Sequence, residues 1–214
     1  MMETIRNYLS YAGIQYRNPD KSGDEREKML ELRNKGQEAR KAFTNLAKTF
    51  QASHPEWQLQ QTSQWMNQAQ RLRPHFWAYL QREGQVTEPM LALRLYGETS
   101  DFGISLEVSF IERKKDEQTL SKQAKILELP PVEGIYYLTY TDGQSQKVEA
   151  NEENRLLLRE KVRNQEVRKV LVKADVSFIA NQSVKAILEK LEDAYTRLLP
   201  YYEVTRDRQI KCDR

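Results

Sequence analysis

Apolar residues recur at three- and four-residue spacings over 25–50, where Met29, Leu32, Ala39, Phe43, Leu46, Ala47 and Phe50 predict one helix with a single apolar stripe. Gly36 lies in that stripe. A mid-helix glycine costs about 1 kcal/mol relative to alanine, so its position marks a place where a neighbouring element comes close. Ser53-His54-Pro55 closes the helix, because the residue before a proline disfavours helical backbone. A second helix is predicted over 59–72, with Trp65, Met66, Ala69 and Leu72 on one side and Pro74 beyond its end. The aromatic run 76–80 suits a helix or a strand; its aromatic content and its bounds at Pro74 and Gly84 favour a strand.

Period-two patterning follows. Leu91, Leu93 and Leu95 alternate with Ala92, Arg94 and Tyr96, and Ile104, Leu106, Val108 and Phe110 alternate with Ser105, Glu107 and Ser109. This predicts an antiparallel sheet with one covered face and one more polar face. A short helix over 117–127 precedes Pro130-Pro131, and two strand-like runs then meet at Asp142-Gly143, a strong hairpin signal. Asn151 is placed to cap a helix reaching about 164, with Glu152 and Glu153 favourably set against its dipole. A strand over 169–174 leads to a last helix, capped by Ser183 and striped by Val184, Ile187, Leu188, Leu191, Ala194, Tyr195 and Leu198. Pro200 is expected to end it, leaving Tyr201 and Tyr202 at the head of a polar tail. Strands gathered in meanders argue for an α+β fold: an antiparallel meander sheet covered by helices, with two N-terminal helices and a C-terminal amphipathic helix. The expected organisation is one domain over 1–214, with a candidate internal boundary near 130.

Composition narrows the function classes. With 39% hydrophobic residues and a net charge of +3 over 214 residues, the chain is not of the disordered kind. A single cysteine, Cys212, excludes a disulfide framework. Mean hydropathy is low at −0.81, and no run approaches the roughly 18 to 20 apolar residues of a membrane span. Residues 1–6 carry an acid and lack the apolar stretch of a signal peptide, so a reducing cytoplasm is expected. The balance of 34 basic against 31 acidic side chains does not itself imply nucleic acid, which throws the weight onto local clusters.

Asp101 followed by Glu112-Arg113-Lys114 resembles the acid and acid-x-Lys pattern of metal-dependent nucleases of the restriction-enzyme type. The resemblance implies two carboxylates on magnesium and a lysine assisting the attacking water. Were 104–112 one continuous strand, however, the two acids would stand about 36 Å apart at roughly 3.3 Å per residue, whereas magnesium ligands lie about 2 Å from a common ion. The pattern is therefore read first as a charged strand end. The two histidines, His54 and His75, lack zinc-ligand spacing, and no serine elbow or glycine-rich phosphate loop occurs. No cofactor and no metal are predicted, and catalysis is not the leading expectation.

The strongest binding signal is the stretch 155–173, where Arg155, Arg159, Lys161, Arg163, Arg168, Lys169 and Lys173 face only Glu160 and Glu166. Arg155, Arg159 and Arg163 recur every four residues, so a helix would align them to track a phosphate backbone. Arg155, Arg159, Arg163, Arg168 and Lys169 are thus the expected nucleic-acid contacts. Tyr136, Tyr137, Tyr201 and Tyr202 form a second expected interface, since tyrosine buries a ring while keeping a polar tip. The leading expectation is a cytoplasmic binding protein that contacts another protein or nucleic acid and no membrane. The alternatives are a magnesium-dependent nuclease or phosphodiesterase using Asp101, Glu112 and Lys114, and a structural homo-oligomer such as a homodimer formed through the long first helix.

Overall fold

Met2–Leu9 (α1) turns Ile5, Tyr8 and Leu9 inward, the three- and four-residue spacing that gives a short helix one buried side. The computed structural model describes residues 1–82, 88–110, 117–141, 143–179 and 181–206, with Glu117 by its backbone alone. Among them are five α-helices and an antiparallel sheet of seven strands, an α+β fold of the expected class. Arg26–Ala52 (α2) buries the predicted stripe from Met29 to Phe50, Gly36 included. Two helices thus precede the sheet, but only α2 belongs to the pair expected at 25–50 and 59–72; α1 was not expected.

No helix forms over 59–72. Only Gln58–Leu59 (β1) is regular there, and the backbone bonds outward: Gln60 N–H donates to Tyr79 O at 2.7 Å and Ser63 N–H to Trp77 O at 2.9 Å. The Arg40 guanidinium, reaching across from α2, donates to the carbonyls of Thr62 and Ser63, both at 2.9 Å. These groups would otherwise serve a helix. Trp65 and Leu72 are buried but Ala69 is exposed, so the apparent stripe is not one face. Tertiary partners override a weak local preference here.

The aromatic run is a strand, Trp77–Gln81 (β2), and Met90–Gly97 (β3) and Phe102–Ser109 (β4) follow. At the β3–β4 turn Gly97 has φ +88, and a Cβ there would lie 2.0 Å from Asp101 O, so the turn requires glycine. The alternation along β4 is present in chemistry but not in exposure. Ser105, Glu107 and Ser109 are 0%, 1% and 2% exposed, so both faces are covered, contrary to the expected polar face. Glu107 is tolerated there because Lys173 Nζ lies 3.0 Å from its carboxylate.

Beyond α3 (Glu117–Ala124) and a 3₁₀ turn at Lys125–Glu128, β5 (Tyr136–Thr141) and β6 (Gln144–Glu149) form the predicted hairpin, closing on the pair Thr141 and Gln144. Asn151 caps α4 (Glu152–Arg163), its side chain accepting from Asn154 N–H at 2.9 Å. Lys169–Ser177 (β7) enters the sheet between β4 and β5, giving the order β1-β2-β3-β4-β7-β5-β6. Ser183 Oγ accepts from Ala186 N–H at 3.1 Å and opens α5 (Val184–Thr205).

That last helix does not stop at Pro200. An internal proline removes a backbone donor and costs ~3 kcal/mol, but Tyr201 and Tyr202 are 1% and 0% exposed and Tyr201 donates to Pro130 O at 2.7 Å. Burial of two rings holds the final turn in place.

The chain forms two compact units interleaved in sequence: Met1–Leu80 with Leu93–Ser105 and Val176–Leu191, and Gln81–Ala92 with Leu106–Asp175 and Glu192–Arg214. Pro130-Pro131 lies within the second unit. The first unit is cored by Tyr8, Phe43 and Phe76, whose ring centroids are 5.2 Å (Tyr8–Phe76) and 5.9 Å (Phe43–Phe76) apart. The second is cored by residues such as Leu106, Val108, Tyr137, Val172 and Leu198.

Candidate nucleic-acid interface

Among the residues of α4, only Leu158 is buried, which leaves most of its charged side chains on the surface. Arg155 is the exception among its arginines. Its side chain is 11% exposed; Nε and Nη2 both engage the Glu152 carboxylate, the former at 2.8 Å, and Nη1 donates to Leu127 O at 2.8 Å. It ties the helix to the 3₁₀ turn before it, and so drops out of the expected phosphate row. The hydrogen bond from Arg155 holds the Glu152 carboxyl below its usual range, and the same bond raises the guanidinium. A depressed carboxylate stabilises the fold above its ordinary value of 4.5, and the contribution is lost as pH falls through the lowered folded value. Arg155→Gln is accordingly expected to lower the thermal midpoint by a few degrees at neutral pH. The gap from wild type should narrow in acid. Melting curves at several pH values check this.

Arg159 and Arg163 are exposed one turn apart, about 6 Å along the axis, and border a shallow recess with Leu156 and Glu160. Arg168, in the loop before β7, is also exposed. None of these three forms an ion pair among the described residues. Lys169 is 5% exposed, with Nζ 4.6 Å from the centroid of the Tyr140 ring, and Lys173 is committed to Glu107. Of the five predicted contacts, the structure leaves Arg159, Arg163 and Arg168 on the surface and takes Arg155 and Lys169 inward.

Arg168 and Lys169 line a cleft of about 830 Å³ in the second unit. Ser121 of α3, Tyr140 and Thr141 of β5, and Glu166 complete its polar lining, and Leu120, Val162 and Val167 give it an apolar wall. Tyr140 and Lys169 meet because β5 and β7 pair in the register Tyr140 to Lys169. The cleft's rim includes the end of α4, where Gln165 has φ +62 and Glu166 N–H donates back to Lys161 O at 2.9 Å. This is a left-handed helix terminus, normally the place of glycine. Gln165→Gly is expected to raise stability by about 0.5–1 kcal/mol, relief of side-chain strain exceeding the added chain entropy. Urea unfolding measures it.

The tyrosines divide. Tyr136 is half-buried; it donates to Asp175 Oδ1 at 2.9 Å, and its ring carries Lys147 Nζ 3.8 Å from the centroid. Tyr137, Tyr201 and Tyr202 are core residues at 0%, 1% and 0% exposure, so they offer no surface to a partner. Burial pushes the Tyr137 and Tyr201 phenols up. The reason is topological: β5 is covered on its Tyr137 side, and α5 continues where a tail was expected.

Asp101 is exposed at the foot of β4. Glu112 and Lys114 lie outside the described residues, as does Cys212. Among the described residues no group of three His, Cys, Asp or Glu side chains is placed to hold a metal ion, and no helix is long and apolar enough to cross a membrane. The chain matches no protein-family model, and its sequence matches no curated protein.

Proposed function

We propose that this is a cytoplasmic binding protein that contacts the phosphate backbone of nucleic acid through Arg159, Arg163 and Arg168. One observation carries the reading: three exposed guanidiniums, free of ion pairs among the described residues, lie on the end of α4 and on the loop leading to a cleft of ligand size. A guanidinium donates two parallel bonds to a phosphate, and each contact releases counterions from the nucleic acid. Arg155 and Lys169 support the surface from beneath, the first by fixing α4 and the second by fixing the cleft floor. The leucine stems beside the row, Leu156 and Leu157, are 51% and 45% exposed and widen the contact with apolar surface. The cytoplasmic setting rests on the single cysteine.

Fluorescence anisotropy at low salt tests the reading with a labelled duplex and a labelled single strand. Wild type is expected to bind at least one of them. Replacing Arg159, Arg163 and Arg168 together with glutamine should weaken binding by about tenfold or more. Absence of wild-type binding to both would end it.

A further inference from the structure

We infer that the groove beside α2 in the first unit binds an adenine nucleotide, unpaired in a single strand or free; the strand as its source rests on the nucleic-acid role proposed above. The groove, of about 360 Å³, lies between the helix and the segment 64–65, at the small end of the range for ligand sites. Its walls are fixed. The Arg40 guanidinium donates to the carbonyls of Thr62 and Ser63, Thr44 Oγ1 donates to Thr62 Oγ1 at 2.8 Å, and Gly36 lets Trp65 approach the helix closely. Gln37, Lys41, Asn45 and Lys48 share one face of α2 through spacings of four, four and three residues, and Gln64 lines the groove with them. All five are exposed. The other lysines of this helix, Lys28 and Lys35, pair with Glu25 and Glu31 at 3.2 and 3.4 Å. Lys41 and Lys48 have no ion-pair partner among the described residues, and the side-chain amides of Gln37, Asn45 and Gln64 make no hydrogen bond there.

A side-chain amide offers a donor and an acceptor side by side. Adenine presents the complementary pair on both of its edges, the N6 amino group with N1 and the same group with N7, so two amides can each close a two-point contact on one base. Guanine has two acceptors, O6 and N7, on the second of these edges, and a pyrimidine has only the first edge, so neither engages both amides. Pairing in a duplex hides one adenine edge, which restricts the groove to unpaired bases. Lys41 and Lys48 flank Asn45, two turns apart and roughly 10 Å along the axis, and supply charge to phosphate on either side of the base.

The test uses the full chain with labelled oligo-adenine and oligo-thymine strands of equal length, whose equal charge cancels the phosphate contacts. Adenosine and guanosine 5′-monophosphates are titrated separately by calorimetry. Oligo-adenine is expected to bind about tenfold more tightly than oligo-thymine, and the adenosine nucleotide more tightly than the guanosine one. Asn45→Ala combined with Gln64→Ala should erase both preferences; the two residues are exposed, and an unchanged melting midpoint shows that the variant folds. Replacing Arg159, Arg163 and Arg168 with glutamine should weaken both strands alike and keep the preference. If adenosine monophosphate is preferred and neither strand binds, the groove takes a free nucleotide and the backbone reading falls alone. If both strands bind equally and neither monophosphate is preferred, or if the preference survives the Asn45 and Gln64 substitutions, the inference is overturned and the backbone reading stands. Absence of all binding ends both.

Discussion

Lys173→Met is expected to destabilise the protein by about 3–5 kcal/mol, because it strips a buried carboxylate of its lysine. The pair lies inside the sheet: Lys173 Nζ is 3.0 Å from Glu107, with the two side chains 6% and 1% exposed. In a protein of this size each kcal/mol lowers the thermal midpoint by about 2–4 °C, so the variant should melt at least several degrees below wild type. Adding Glu107→Met should return much of the loss, since two well-packed apolar side chains replace a buried ion pair at little net cost. Denaturant unfolding of the four proteins in this cycle yields the coupling directly. A loss under 1 kcal/mol for the single variant would mean that the pair is solvated, against its burial.

The second large effect reverses a usual sign. In an open helix Gly→Ala stabilises by about 1 kcal/mol, yet Gly36→Ala is expected to destabilise by about 1–3 kcal/mol. An added Cβ would lie 2.5 Å from Cε3 and 2.7 Å from Cδ2 of Trp65. That ring has little room to yield, being 6% exposed and set edge-on to Tyr16 with centroids 5.0 Å apart. Trp65→Leu in the Gly36→Ala background should lessen the penalty relative to Trp65→Leu alone. If Gly36→Ala instead melts higher than wild type, the close approach of Trp65 to α2 is wrong.

Gly36 also shows which parts of the fold were legible. Its place in an apolar stripe pointed to a close neighbour without naming one, and the neighbour proved to be Trp65, 29 positions along the chain. The stripes of α2 and α5, the hairpin at Gly143 and the Asn151 cap were readable because each depends on residues a few positions apart. The segment 59–72 was not, because its course is set by Arg40 and by the carbonyls of β2, which no local window contains. Pro200 misled for the same reason: the tyrosines that keep α5 helical are anchored at Pro130 and in the core.

The candidate site follows the same division. Arg159 and Arg163 were visible from their spacing, and they are exposed. Spacing treated Arg155 as their equal, although the carbonyl of Leu127 gives it a structural role. The union of Tyr140 with Lys169 required the strand order, since β7 pairs with β5 only by entering the sheet out of sequence. Adjacent tyrosines on β5 had to face opposite ways, but their sequence did not say that the Tyr137 side would be covered.

The most direct measurement of the proposed role is the salt dependence of nucleic-acid binding. The observed affinity of wild type should fall steeply with salt, and its log–log slope should lose a magnitude of about 2–3 when Arg159, Arg163 and Arg168 are replaced with glutamine, three phosphate contacts at roughly 0.7–0.9 each. An unchanged slope in a folded triple variant would contradict the assignment of these arginines to the phosphate backbone.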